Sequence, residues 1–206
     1  MPIVHLLRHG HVHNPDKVLY GRLPGFRLST TGEQMASAVA EFLEREGHDV
    51  GQVIASPLLR AQQTAAPIAA VFGLEIRTDE RVIEAGSLYE GEPLPSRAQD
   101  FVHPKHWWRL RNPLRPSWGE PYRDLRERMW AAVSDAARAC PDRETVVVSH
   151  QLPIWSTRLD YENKRVLHDP RSRQCGLASL TSYDLVDGVA VDMAYREPAA
   201  HIEVPS

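Results

Sequence analysis

The chain has 206 residues and a formal net charge of -3, with 42% hydrophobic and 25% charged residues. These values are typical of a globular protein, and the length suffices for one domain with a sizeable core. The net charge offers no broad positive field for nucleic acid or an anionic membrane. No apolar stretch could span a bilayer, and Arg8 comes too early for a secretory signal. We therefore expect one cytoplasmic domain over residues 1–206, with no nucleic-acid or membrane partner.

Short apolar runs alternate with helical patterns in the first half of the chain. Residues 2–7 form an apolar run before Arg8-His9-Gly10, which is typical of a buried strand that leads into a loop. Apolar residues recur at helical spacing over 31–46. Residues 52–55 predict a second strand, and the helix that follows carries Arg60 near its start.

The second half of the chain continues this alternation and ends in a hairpin. Residues 122–139 predict a helix, and the apolar residues 145–148 predict a strand that stops at Ser149-His150. Residues 178–185 and 189–195 flank Asp187-Gly188, a pair that suits a tight turn. We place this hairpin at the edge of the sheet.

Alternating strands and helices predict an α/β fold, a mostly parallel sheet covered by helices on both faces. Right-handed crossovers would bring the carboxyl ends of the first three strands to one edge, where ligands of such sheets bind. Residues 90–121, rich in proline, tryptophan and arginine, predict a long excursion over that edge, and one hypothesis makes it a lid. Residues from Pro198 onward predict a loosely held tail.

The predicted edge gathers residues suited to phosphoryl transfer. Arg8 and Arg60 can bind phosphate oxygens and stabilise their charge, since guanidinium is planar and permanently cationic. His9 lies between them, and cations keep an imidazole neutral and nucleophilic. His150 could donate a further hydrogen bond to the phosphoryl group. Glu84 could protonate the leaving alkoxide and later deprotonate water.

In this arrangement the sequence resembles the histidine phosphatase superfamily, which includes phosphoglycerate mutases and many phosphatases. Leu7-Arg8-His9-Gly10 is similar to its nucleophile motif, Ser56-Pro57-Leu58-Leu59-Arg60-Ala61 to its second arginine motif, and Val148-Ser149-His150 to its second histidine. Glu84 corresponds to its acid. The resemblance implies a three-layer α/β/α fold, a phosphohistidine on His9 and catalysis without a metal or other cofactor.

The same resemblance implies further substrate contacts and a class of partner. Asn14 lies close to the position of a phosphate-binding asparagine, Tyr20 and Gly21 occupy the place of a backbone contact, and Gln151 follows the second histidine. The implied partner is a small phosphorylated substrate. The sequence is also compatible with a homodimer.

Other functions remain open at this stage. His9, His11 and His13 alternate, as in metal-dependent hydrolases, although Arg8 and Arg60 would repel a cation and favour an anion. A protein that binds a phosphorylated ligand without turnover is a third candidate. A phosphoglycerate mutase is the alternative within the enzymes. Because acidic residues replace the basic stretch that mutases of the family carry after the acid, the sequence favours a phosphatase.

Overall fold

The computed structural model describes residues 1–87, 90–91, 119–164 and 173–205. Its regular elements alternate between strand and helix before a final hairpin. In chain order they are β1 (Ile3–Arg8), α1 (Thr30–Arg45), β2 (Val50–Ala55), α2 (Leu59–Phe72), β3 (Ile76–Thr78), a 3₁₀ turn (Glu80–Val82), α3 (Tyr122–Ala139), β4 (Glu144–Ser149), α4 (Gln151–Tyr161), β5 (Leu180–Val186) and β6 (Val189–Arg196).

The strands form one sheet in the order β3-β2-β4-β1-β5-β6. The pairs β2–β3, β2–β4 and β1–β4 are parallel, whereas β5 pairs antiparallel with both β1 and β6. This confirms the mostly parallel sheet and the hairpin at its edge. Because β1, β2 and β4 are parallel, their carboxyl ends meet at one edge.

Helices cover both faces of the sheet, which gives the predicted three-layer α/β/α sandwich. Leu7, Val53 and Val148 pack on one face with the apolar sides of α1 and α2. Leu6 and Val147 point to the opposite face, where they pack with α3 and α4. The alternation follows from the pleat, since successive strand residues face opposite sides.

Local signals set the ends of the first two helices. The Ser29 hydroxyl accepts a hydrogen bond from the Gly32 amide and so caps α1. Gly73 ends α2 with a φ of 63°, a left-handed conformation that glycine adopts without strain. The polypeptide therefore turns back toward the sheet shortly after each helix.

The structure corrects the sequence analysis in three places. Neither β3 nor α4 was predicted, and residues 199–202 of the predicted loose tail are packed against the core. Ala199 is buried in the core and Ile202 packs against the same cluster. Turn hydrogen bonds from the amides of Ala200 and Ile202 hold this segment, and they are not visible in its composition. The excursion predicted over 90–121 lies outside the described residues except at its two ends.

Within the part of the chain that the structure describes, no helix combines the length and apolar character needed to cross a membrane.

The buried face of α2 yields a stability prediction. Ile68 is fully buried, whereas Val71 on the same helix is 41% exposed. We expect Ile68→Ala to lower the free energy of unfolding by about 2–5 kcal/mol, because it leaves a cavity. Val71→Ala, the matched control, should change it by no more than about 0.5 kcal/mol. Urea unfolding followed by circular dichroism measures both, and equal losses would contradict the assigned packing.

Candidate active site

The carboxyl ends of β1, β2 and β4 converge on a cavity of about 320 Å³. Arg8 and His9 enter it at the end of β1, and His150 follows β4 directly. Arg60 lies in the first turn of α2, beyond β2. Glu84 lines the same cavity from the segment after the 3₁₀ turn. The structure thus brings the five predicted catalytic residues to one edge of the sheet.

Hydrogen bonds fix the tautomer of His9. Its Nδ1 lies 2.8 Å from the carbonyl oxygen of Gly10, which can only accept a hydrogen bond, so Nδ1 carries the proton. Nε2 therefore keeps its lone pair and accepts a hydrogen bond of 3.3 Å from Arg60 Nε. The ring is buried and held at both nitrogens, with the nucleophilic lone pair on Nε2.

Two glycines allow the His9 loop to lie against the start of α1. A Cβ on Gly10 would lie 2.6 Å from the Gly32 carbonyl oxygen, and a Cβ on Gly32 would lie 2.0 Å from the His11 carbonyl oxygen. Neither contact leaves room for a side chain. The Gly10 amide also donates to Thr64 Oγ1 of α2, at 3.1 Å. The loop after β1 is therefore clamped between two helices.

Arg60 is the most deeply placed charge of the site, with 1% of its surface exposed. Besides His9, its guanidinium donates to the Gly21 carbonyl oxygen at 2.7 Å and to His150 Nδ1 at 3.2 Å. It also lies 4.7 Å from the centre of the Tyr20 ring, a cation–π contact. These hydrogen-bond partners are neutral, and the nearby Glu84 and Glu90 carboxyl groups offset only part of the lowering of the Arg60 pKa by burial.

Arg8 contributes a second guanidinium. One terminal nitrogen donates to the Cys175 carbonyl oxygen at 2.6 Å, which anchors the side chain. The buried Nε has no hydrogen-bond partner among the described residues. A buried donor of this kind is costly unless a ligand or water accepts from it.

His150 is held from both sides in the same way as His9. Its Nδ1 faces the Arg60 guanidinium, which can only donate, so Nε2 carries the proton and donates to Ser56 Oγ at 2.8 Å. In this tautomer His150 accepts a hydrogen bond at the site. The predicted donation to a phosphoryl group would require the proton on Nδ1 and the Ser56 hydroxyl as donor to Nε2, and it stays a prediction.

The surroundings keep both histidines neutral. Burial holds the pKa of His9 well below its usual range, and the charges of Arg60 and Arg8 lower it further. Burial does the same to the pKa of His150, with further lowering by His9 and Arg60. The sequence analysis named only the cations for His9, and the larger cause is loss of solvent.

Glu84 has the opposite shift. Burial raises its pKa, because desolvation penalises the carboxylate more than the neutral acid. The Ala85 amide, which donates to Glu84 Oε1 at 2.9 Å, and the charges of Arg60 and Arg8 oppose this rise without cancelling it. A carboxyl group in this environment holds its proton at a higher pH than an exposed one, as a general acid requires.

An ion-paired clamp that the sequence analysis missed positions Glu84. Arg22 Nε donates to the Glu84 carbonyl oxygen at 2.6 Å, and Arg128 Nη2 donates to it at 3.4 Å. Both arginines pair with Glu120, at 2.8 and 2.7 Å. The clamp joins segments far apart in sequence, and no local pattern marks it.

The predicted substrate-binding residues differ in their surroundings. Tyr20, Gly21 and Gln151 line the cavity. The side chain of Asn14 bonds instead to the amide and carbonyl of Val18, at 3.2 and 2.9 Å, and so orders its own loop. Any contact of Asn14 with substrate remains a prediction. The first turn of α4, which begins at Gln151, lies at the cavity wall, since Gln151 and Leu152 line it, and the N-terminus of a helix favours an anion.

The alternating histidines do not converge as metal ligands. His11 Nδ1 bonds to Ser29 Oγ at 2.7 Å, and His13 is exposed. Of the residues that the structure describes, the group of three metal-ligand types within reach of one ion is His5, His48 and Glu144, at the other end of the sheet. The geometry at His9 thus favours an anion, as its two arginines do.

Known proteins resemble the chain over most of its length. The model of the histidine phosphatase superfamily (branch 1) matches residues 4–192. The uncharacterized protein Rv0525 of Mycobacterium tuberculosis is 51% identical over 197 residues, 96% of each chain. A probable phosphoglycerate mutase, GpmB of Yersinia enterocolitica, is 28% identical and covers 98% of this chain and 96% of its own.

The solved structures include a mycobacterial glucosyl-3-phosphoglycerate phosphatase, Rv2419c. It superposes with a TM-score of 0.72 at 25% identity and covers 94% of this chain and 96% of its own. The resemblance inferred from the motifs is confirmed by the family match over nearly the whole sequence. The chain therefore belongs to the histidine phosphatase superfamily, branch 1.

Proposed function

We propose that the protein is a phosphatase that hydrolyses a small phosphomonoester through a phosphohistidine on His9, without a metal. The observation that carries the proposal is the state of His9, whose proton lies on Nδ1 and whose Nε2 lone pair faces a cavity lined by Arg8 and Glu84. A neutral imidazole beside guanidinium groups suits attack on an anionic phosphorus centre.

The first step would form one bond and break another. Nε2 of His9 attacks phosphorus while the bond from phosphorus to the ester oxygen breaks. The Glu84 carboxyl gives its proton to that oxygen, and the alcohol leaves. Arg8, Arg60 and the amides at the start of α4 stabilise the charge on the equatorial oxygens. Arg60 Nε now donates a hydrogen bond to His9 Nε2. A phosphoryl group on Nε2 would replace that hydrogen bond, and Arg60 Nε could then donate to a phosphoryl oxygen.

In the second step Glu84 would act as a base instead of an acid. Glu84, now a carboxylate, accepts a proton from water as the water oxygen attacks phosphorus. The bond from phosphorus to Nε2 breaks, and inorganic phosphate leaves with His9 again neutral. The clamp of Arg22, Glu120 and Arg128 would hold the Glu84 backbone in place for both steps.

Hydrolysis is favoured over mutase chemistry by the charge around Glu84. A mutase must hold a second phosphoryl group and keep water from the phosphoenzyme. Close to Glu84 in sequence, the amide of Ser87 donates a hydrogen bond of 3.1 Å to the Glu90 carboxylate. This negative charge would repel a second phosphate, so mutase activity ranks second, although GpmB carries that name.

The substrate would carry a second anionic group. Arg173 lines the cavity together with Arg8 and is half-buried. Arg8 and Arg60 would bind the phosphoryl group, and the guanidinium of Arg173, at the same cavity, would attract a carboxylate elsewhere on the substrate in addition to the contacts it makes within the protein. The name of Rv2419c, a glucosyl-3-phosphoglycerate phosphatase, is in line with such a substrate, since phosphoglycerate bears a carboxylate. The volume of about 320 Å³ favours a small one.

Removal of the nucleophile tests the reaction class. We expect wild type to release phosphate from p-nitrophenyl phosphate in excess EDTA, and His9→Ala to lose activity by about a thousandfold or more. When the reaction is stopped without acid, the phosphoenzyme should persist. It should be hydrolysed by acid and stable to base, as a phosphoramidate is. Exposed His13→Ala is the matched control and should keep full activity. Loss of wild-type turnover in EDTA would overturn the metal-independent mechanism.

The leaving group tests Glu84 as the acid. With an alkyl phosphate, whose alkoxide needs a proton, Glu84→Gln should lower kcat/KM by about 100- to 10,000-fold. With p-nitrophenyl phosphate, whose phenolate leaves without a proton, the loss should be much smaller. Equal losses on both substrates would contradict the role.

The pH profile of the alkyl substrate provides a control. Because the protonated form of Glu84 acts first, kcat/KM should fall as pH rises through a pKa above the ordinary value. Glu84→Gln should remove this basic limb.

Charge neutralisation tests the second anionic group. We expect Arg173→Gln to raise KM for a phosphorylated carboxylic acid such as 3-phosphoglycerate by about 10- to 100-fold, the effect of losing one charge-assisted hydrogen bond. KM for p-nitrophenyl phosphate should change little. A parallel rise for both substrates would place Arg173 at the transferred phosphoryl group instead.

A further inference from the structure

Two histidines and a glutamate meet at the edge of the sheet opposite the active site. His5 lies near the start of β1 and Glu144 begins β4, while His48 follows α1. His5 Nε2 and His48 Nδ1 lie 2.9 and 2.8 Å from the same Glu144 oxygen, Oε2. The phosphatase mechanism uses none of these residues.

The three donor atoms lie within 4.8 Å of one another. Two neutral imidazole nitrogens and a carboxylate oxygen are the ligand set of many divalent transition metal sites, with the fourth position left to water. Ligand atoms around a tetrahedral zinc ion lie about 3.3 Å apart, given zinc–ligand distances of about 2.0–2.1 Å. To admit the ion, the distance to Oε2 would lengthen by about 0.4 Å for His5 Nε2 and by about 0.5 Å for His48 Nδ1, and the ligand atoms, now within 4.8 Å of one another, would settle at about 3.3 Å.

The second nitrogen of His5 already has the partner that a metal ligand needs. Its Nδ1 lies 2.7 Å from the hydroxyl of Ser182, the residue directly opposite on β5. Metal-binding histidines commonly donate this N–H to an oxygen, which fixes the tautomer that presents the other nitrogen to the ion. Without an ion, His5 Nε2 carries the proton that it donates to Glu144, and Nδ1 accepts from the Ser182 hydroxyl. An ion would displace the proton from Nε2, and the Ser182 hydroxyl could turn to accept from Nδ1–H in the metal-bound tautomer.

Backbone pairing holds the three residues in place. The amide of Glu144 donates to the Asp49 carbonyl oxygen at 2.9 Å, which ties the segment of His48 to β4. His5 lies on β1, which pairs with β4. The site is therefore largely preformed, and binding an ion would order little additional chain.

Charge and access also suit a cation. The neighbouring Arg143 guanidinium is directed to Asp49 and the Val50 carbonyl oxygen, at 2.7 Å each, so its charge is compensated locally. The His5 side chain is 3% exposed, that of Glu144 18% and that of His48 27%. An ion could enter from solvent past His48 and reach His5 at the bottom of the site.

From this geometry we propose that His5, His48 and Glu144 bind one divalent transition metal ion, with Zn²⁺ the best match to the ligand set. The ion would cross-link β1, β4 and the turn after α1. It would lie about 13 Å along β1 from His9, so it would stabilise the fold without taking part in phosphoryl transfer. The proposal stands whether or not the proposed phosphatase reaction is correct.

Zinc titration of the full chain tests the proposal. Isothermal titration calorimetry of EDTA-stripped protein with ZnCl₂ should give one equivalent bound in wild type and none in His48→Gln. At a zinc concentration about 100 times Kd, Tm of wild type should rise by roughly 5–10 °C, and Tm of His48→Gln should not rise. Ser182→Ala should weaken binding by about 10- to 100-fold.

Two controls separate this site from the active site and from surface histidines. His9→Gln and His13→Gln should each keep the equivalent of zinc and the zinc-dependent rise in Tm. Absence of zinc binding in wild type, or zinc binding retained in His48→Gln, would overturn the proposal. Loss of zinc from His9→Gln with retention in His48→Gln would place the ion in the catalytic cavity and overturn it as well.

Discussion

The site depends on one buried cation whose partners are neutral. Arg60 donates to His9, to His150 and to a carbonyl oxygen, and none of these carries a compensating charge. Burial lowers the pKa of Arg60, and the Glu84 and Glu90 carboxyl groups nearby offset this only in part, so an anionic ligand would offset part of the cost of burying the charge. The same charge lowers the pKa of both histidines. In the proposed reaction, one guanidinium thus would attract the phosphoryl group and help to keep His9 neutral.

Paired strands position the proposed nucleophile, whereas a loop carries the proposed acid, and this difference accounts for the arginine clamp at Glu84. His9 and His150 directly follow paired strands, and their rings are fixed at both nitrogens. Glu84 follows a short 3₁₀ turn and has no such neighbours in a sheet. The pairing of Arg22 and Arg128 with Glu120 supplies the missing constraint. Since burial raises the pKa of Glu84, a loop that moved into solvent would lose the proton needed for the first step.

The spacing of apolar residues predicted the strands and helices that such short stretches of sequence determine. The apolar spacing of 122–139 gave the bounds of α3, and the runs before His9 and His150 predicted β1 and β4. Two elements were missed for physical reasons: β3 has only three residues with an exposed pattern, and α4 carries Pro153 in its first turn. The motifs predicted which residues meet at the carboxyl edge of the sheet, where Arg8, His9 and Glu84 line the cavity. Their tautomers, and partners such as Ser56, depend on contacts up to 94 residues apart, which no window of sequence contains.

The two histidine clusters of β1 show how neighbours decide the chemistry of one residue type. His5 and His9 are four residues apart on the same stretch of chain, and both are buried. The loop of His9 meets arginines, which repel metal ions, and His9 Nε2 accepts a hydrogen bond from Arg60 Nε. His5 meets a carboxylate shared with His48, which attracts cations. Parallel strands make this separation possible, because residues at the two ends of a strand meet different sets of loops. The sheet therefore keeps the proposed anion site and the proposed cation site about 13 Å apart along β1.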